Sequence, residues 1–130
     1  MDLLLDTHAF LWFDLDPVKL SPKVHQALMN PDHQLYLSTA SLWEMQIKLQ
    51  LGKLSLEAGL KSTWDKHQQV NRIRLLAIKP THIYGLNALP AIHQDPFDRI
   101  LISQAIREKC WLVSKDAHVH AYQKYVDVLW

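Results

Sequence analysis

Hydrophobic and polar positions change period along this chain, and each change marks an element. Leu3-Leu4-Leu5 is a short, unbroken apolar run, so Asp2–Leu5 reads as a strand buried on both faces. His8–Phe13 begins a helix, and Asp14-Leu15-Asp16-Pro17 reads as the loop that follows. Ser21-Pro22 starts another helix, with serine as N-cap and proline at the first helical position. Val24, Ala27 and Leu28 give that helix one apolar face, and Pro31-Asp32 stops it. Leu35–Ser38 is the second strand. A helix over Leu56–Val70, weakened by Gly59, leads to a strand at Arg74–Ile78. Pro80-Thr81 opens a short helix that ends near Leu89-Pro90. Asp95-Pro96 opens the clearest helix, which runs through Lys109. A strand at Trp111–Ser114, a short helix over His118–Tyr125 and a strand at Val126–Leu129 complete the chain.

Leu42–Leu54 carries two patterns at once. Trp43, Met45, Ile47, Leu49 and Leu51 alternate with polar residues, which is strand periodicity. Yet Thr39 or Ser41 could cap a helix, Gly52 could end one, and Trp43, Ile47 and Leu51 share a helical face. The periodicity slightly favours a strand and the caps favour a helix. Around it, strands alternate with helices, which predicts a three-layer α/β/α sandwich around a mainly parallel sheet.

Composition narrows the class. A length of 130 residues suits one domain, assigned to residues 1–130, and a hydrophobic content of 48 % excludes a disordered chain. The net charge of +1 excludes a broadly basic surface, so any nucleic-acid contact has to come from a local patch. Cys110 is the only cysteine, which excludes an intramolecular disulfide and fits a reducing compartment. No apolar stretch approaches membrane-spanning length, and Met1-Asp2 lacks the positive start of a signal peptide. A soluble cytoplasmic protein without a membrane partner is expected.

Four acids stand where strands give way to helices: Asp6, Glu44, Asp98 and Asp116. Ligands of a parallel sheet bind outside the carboxyl ends of its strands, so these acids could converge there. Each also has a local explanation. Asp95 caps a helix and places Asp98 in its first turn, Asp95 could pair with Arg99, and Glu44 with Lys48. Asp6 and Asp116 could cap the helices that follow them. Taken together, crowded carboxylates repel one another, and a shared hard cation relieves that repulsion.

The same segments resemble the motifs of PIN-domain nucleases. Leu3-Leu4-Leu5-Asp6-Thr7-His8-Ala9-Phe10-Leu11-Trp12 is similar to the opening motif. Ser41–Lys48, followed by Leu51-Gly52-Lys53-Leu54, resembles the second. His93-Gln94-Asp95-Pro96-Phe97-Asp98-Arg99 with Ile100–Ala105 resembles the third, and Leu112-Val113-Ser114-Lys115-Asp116 the fourth. Within that family the nearest subgroup is the VapC-like toxins of toxin–antitoxin pairs. The resemblance implies a helix at Glu44. It also implies one Mg²⁺ or Mn²⁺ site lined by Asp6, Glu44, Asp98 and Asp116, with Asp6 and Asp98 as direct ligands and a Thr7 hydroxyl nearby. The expected activity is a metal-dependent endoribonuclease acting on RNA, dimeric and held inactive by a separate antitoxin protein. Arg99 and Lys115 adjoin proposed ligands and are the candidate phosphate contacts.

Other readings fare worse on the residues. A receiver-type signalling domain needs an adjacent acidic pair after its first strand, and Asp6-Thr7-His8 supplies none. An inactive scaffold that binds RNA or protein would not need to retain four acids. His93 and Asp95 could chelate, but no further zinc-type spacing accompanies them, and His118 and His120 fall on different helix faces. Trp12, Trp43 and Trp111 read as core or dimer interface rather than as stacking platforms for bases.

Overall fold

The apolar run at Asp2–Leu5 (β1) is the middle strand of a five-stranded sheet in the computed structural model, which describes residues 1–130. The other strands are β2 (Gln34–Ser38), β3 (Arg74–Leu76), β4 (Trp111–Val113) and β5 (Val128–Leu129). Their order is β3-β2-β1-β4-β5, and every pairing is parallel. Leu3 lies opposite Leu35 on one side and Trp111 on the other.

Parallel neighbours cannot be joined by a tight hairpin, so helices make the crossovers and cover both faces. They are α1 (Thr7–Leu15), α2 (Pro22–Met29), α3 (Thr39–Gln50), α4 (Leu60–Val70), α5 (Pro80–Gly85), α6 (Pro96–Glu108) and α7 (Ala117–His120). Alternation along β1 divides the core. Leu3 and Leu5 join Phe10, Val24, Leu37 and Met45 on one face. Leu4 joins Leu101, Leu112 and Tyr122 on the other. The three-layer α/β/α sandwich expected from the sequence is the architecture found, and no helix is long and apolar enough to cross a membrane.

The ambiguous stretch is helix α3. Its N-cap is Ser38, whose hydroxyl accepts from the Ala40 N–H at 3.0 Å, and neither Thr39 nor Ser41 plays that part. The far end closes as the caps predict. Gly52 takes a φ of 72°, and the Gly52 and Lys53 N–H groups return to Leu49 and Lys48. Of the expected face, Trp43 and Leu51 are exposed and Ile47 is half-buried, while Ser41 and Met45 are buried. The alternation mixes exposed Trp43 and Leu51 with core-facing Met45 and Leu49, so it reports no single face.

Several boundaries also move, and β3 ends at Leu76 rather than Ile78. Helix α1 continues through Asp14, because that carboxylate accepts from Lys66 and His67, each at 2.8 Å, and is held against α4. Helix α4 starts only at Leu60, since Gly59 turns the chain at a φ of 84°. Helix α7 stops at His120, where the backbone tightens into i→i+3 turns that insert Tyr122 into the core. Strand β5 shortens to Val128–Leu129. Cys110 is buried beside β4, and burial, with help from Asp2 and Glu108, pushes its thiol up to about 11.

Candidate active site

The chain builds outward from β1 through β2 to β3, then returns to β4 on the other side of β1. Helix α1 leaves β1 toward one face and α7 leaves β4 toward the other. A crevice therefore opens where β1 and β4 end, which is where such sheets bind ligands.

Asp6 is the first residue beyond β1 and only 4 % exposed. Its carboxylate caps α1, accepting from the Ala9 N–H at 2.8 Å. Burial pushes the Asp6 carboxyl up to about 6; Ser114, the Ala9 N–H and His8 oppose the rise, and Asp98 adds to it. Asp98, in the first turn of α6, is also raised, first by burial and further by Asp95 and Asp116, against a hydrogen bond from His93. Asp116 caps α7 through the His118 N–H at 2.8 Å. Thr7 joins the fourth acid to the group: its hydroxyl meets Glu44 at 2.6 Å and Ser41 at 3.1 Å. Lys48 pairs with Glu44 at 3.3 Å, the i, i+4 contact read from the sequence.

Asp6 and Asp116 line one cavity of about 340 Å³ with His8, Trp12 and Lys115. Lys115 is exposed and lies 5.9 Å from the centre of the Trp12 ring. A comparable cavity of about 350 Å³ sits at the amino ends of β2 and β3, between His33 and Arg72, with no acid in its wall. The chemistry lies with the first cavity. Carboxylates that burial and their neighbours push toward protonation are the donor set that a hard divalent cation accepts.

The structure also shows where the remaining site expectations go. Asp95 caps α6 through the Phe97 and Asp98 N–H groups at 2.8 and 3.3 Å. Arg99 does not pair with Asp95. Its guanidinium donates to the carbonyls of Pro90, His93 and Leu86 and to the Tyr122 hydroxyl, at 3.0–3.4 Å. The Tyr122 hydroxyl in turn accepts from the Ile92 and His93 N–H groups. Arg99 is thus engaged in shaping the loop before α6, whereas Lys115 stays open to the cavity. Trp43 is 63 % exposed rather than core, and its ring meets Phe97 edge-on at 5.3 Å.

Two neighbours were not assigned to the acids from sequence. His93 Nε2 lies 2.8 Å from Asp98, and His118 Nδ1 lies 3.2 Å from Asp116. The imidazoles stack on each other, 4.8 Å between centres and 10° from parallel. From sequence, His93 is weighed as a ligand only with Asp95, and nothing local links His93 to His118, because only the fold brings those loops together.

An all-parallel α/β sheet with acids gathered at the point where strand order reverses defines an α/β protein with an acidic crevice suited to a divalent cation. The chain belongs to the PIN domain family, whose description matches residues 3–125. It is 28 % identical over 122 residues to Ribonuclease VapC22 of Mycobacterium tuberculosis, covering 93 % of this chain and 92 % of that protein. Its fold is similar to that of VapBC2 from Rickettsia felis bound to a DNA fragment from their promoter, with a TM-score of 0.71 and 14 % identity over 99 % of this chain and 96 % of the other. VapBC-1 of nontypeable Haemophilus influenzae gives a TM-score of 0.67 at 16 % identity, over 99 % and 97 % of the two chains.

Proposed function

We propose that this chain is a metal-dependent endoribonuclease and the toxin of a toxin–antitoxin pair. The observation that carries this reading is the meeting of Asp6, Asp98 and Asp116 at the switch-point crevice, with Glu44 joined to them through Thr7. Membership of the PIN family and likeness to a named ribonuclease give the reaction class. Asp6 and Asp98 would hold Mg²⁺ or Mn²⁺ directly, and Glu44 and Asp116 would complete the site or orient water. When bound, the ion neutralises charge on the scissile phosphate and makes water a stronger nucleophile.

The remaining steps fall to the chain's own groups. Thr7 holds Glu44 next to the residue that follows Asp6, and the buried Asp6 keeps its orientation through the Ala9 N–H. Lys115, exposed beside the cavity, is the cation placed to meet an RNA phosphate. Arg99 contributes by fixing the His93 loop rather than by touching phosphate. The exposed Trp43 and Leu51 on α3 support a protein partner on the helix that carries Glu44: an antitoxin or a second copy of this chain.

The test is cleavage of total cellular RNA by purified, antitoxin-free protein with Mg²⁺ or Mn²⁺, beside an EDTA control and a folded Asp98→Asn variant. Discrete, metal-dependent fragments that vanish with EDTA and in the variant are expected. Absence of cleavage by protein that binds the metal would replace the nuclease with a non-catalytic RNA- or protein-binding scaffold.

A further inference from the structure

We infer that His93 and His118 form a nitrogen-donor site beside the acidic crevice, one that takes a borderline divalent cation such as Zn²⁺ or Co²⁺. The two imidazoles come from separate loops, one before α6 and one at the start of α7, yet they lie face to face. One donor atom from each of His93, Asp116 and His118 falls within 4.8 Å of the others.

The arrangement of ring nitrogens points to a ligand. Each ring has one nitrogen against a carboxylate, Nε2 of His93 on Asp98 and Nδ1 of His118 on Asp116. The other nitrogen of each ring has no hydrogen-bond partner. Asp98 fixes the far nitrogen of His93, as a carboxylate commonly does for a metal-bound imidazole, while His118 and Asp116, already 3.2 Å apart, are two donors to the same ion. Both residues are also anchored by backbone. The His93 N–H donates to the Tyr122 hydroxyl at 2.9 Å, and the His118 N–H to Asp116 at 2.8 Å. The His118 side chain is 69 % exposed, so its ring is free to move inward. Zinc–nitrogen bonds of about 2.0–2.1 Å draw tetrahedral ligands to about 3.4 Å of one another, a short closure from the spacing present. Nitrogen donors discriminate against Mg²⁺, which prefers oxygen, so this site and the acidic centre select different ions.

The site shares Asp116 with the proposed acidic centre. Binding of a borderline ion stands on His93, His118 and Asp116, whereas its effect on RNA cleavage, inhibition through withdrawal of Asp116, rests on the nuclease reading.

The experiment is titration of the metal-free full chain with Co²⁺, followed in the visible spectrum and then reversed with Zn²⁺. Wild type is expected to show the intense bands of low-coordinate, nitrogen-bound Co²⁺, bleached by Zn²⁺. His118→Ala, at an exposed position, and His93→Gln are expected to lose these bands and to weaken Zn²⁺ at least about 10-fold in competition with a chromophoric chelator. His118→Ala should keep the rise in melting temperature caused by Mg²⁺. A pale, six-coordinate Co²⁺ spectrum in wild type, or bands undiminished in His118→Ala, would overturn the site. Intact Co²⁺ bands without a Mg²⁺ response in wild type would support it while removing the acidic centre.

Discussion

Asp6 meets two opposing demands. As the cap of α1 it accepts a backbone N–H, and as a buried carboxylate beside Asp98 it resists ionisation. Its folded pKa of about 6 lies above the ordinary 3.8. Between those values the folded state holds a proton that the unfolded chain has released. Stability therefore falls as pH rises through that window, and above it the cost is complete, on the order of 2–3 kcal/mol. Asp6→Asn keeps a capping oxygen and removes the charge. The metal-free variant should melt higher than wild type at neutral pH, and the gain should disappear below the window. Asp14 has the opposite sign. Its side chain is 7 % exposed, and hydrogen bonds from Lys66 and His67 outweigh burial and lower its pKa. Its contribution is present above the unfolded value and is lost as pH falls through the lowered folded one. Asp14→Ala should cost about 1–3 kcal/mol in urea unfolding at neutral pH, and less in strong acid. Equal destabilisation at both would mean that the contact works by packing alone. From sequence Asp14 read as a loop residue, because its partners lie on α4, far along the chain.

Elements announced themselves unevenly. Helix α6 was legible nearly from end to end, because Asp95 and Pro96 fix its start. Helix α3 was legible only through its caps. Its buried face uses Ser41 and Met45, while apolar side chains stand on the outer face, so periodicity pointed the wrong way. Strand β5 was placed from sequence, but its start was read two residues too early, because two residues show no period. The end of α6 carries a testable cost. Lys109 adopts a left-handed φ of 56° at the C-cap, where glycine meets no Cβ penalty. Lys109→Gly should raise stability by about 0.5–1 kcal/mol in denaturant unfolding. A loss of stability instead would show that the lysine side chain contributes contacts beyond its backbone.

At the scale of the molecule, the sheet order assembles the site. Asp6, Asp98 and Asp116 come from three segments, and only the reversal between β1 and β4 makes them neighbours. The positions of Asp6 and Asp116 after strands were readable, but Asp98 follows α5 rather than a strand, contrary to the sequence reading; their mutual approach came from family motifs, and the two histidines from neither. An ion bound only by the folded crevice stabilises it by mass action, by about 2.7 kcal/mol at a hundredfold excess over Kd. Mg²⁺ should therefore raise the melting temperature, and Glu44→Gln or Asp98→Asn should blunt the rise. No response at saturating ion would remove the shared site.

The burial of Cys110 has a further use. A thiol whose pKa lies near 11 is almost wholly protonated at neutral pH, and the fold shields it from reagents. Maleimide or iodoacetamide probes would pass it by in the native protein. A cysteine introduced at an exposed position such as Gln46, on α3 near Glu44, would then be the one reactive thiol. A spin label or fluorophore placed there could follow partner binding to the exposed face of α3 without removal of the native residue.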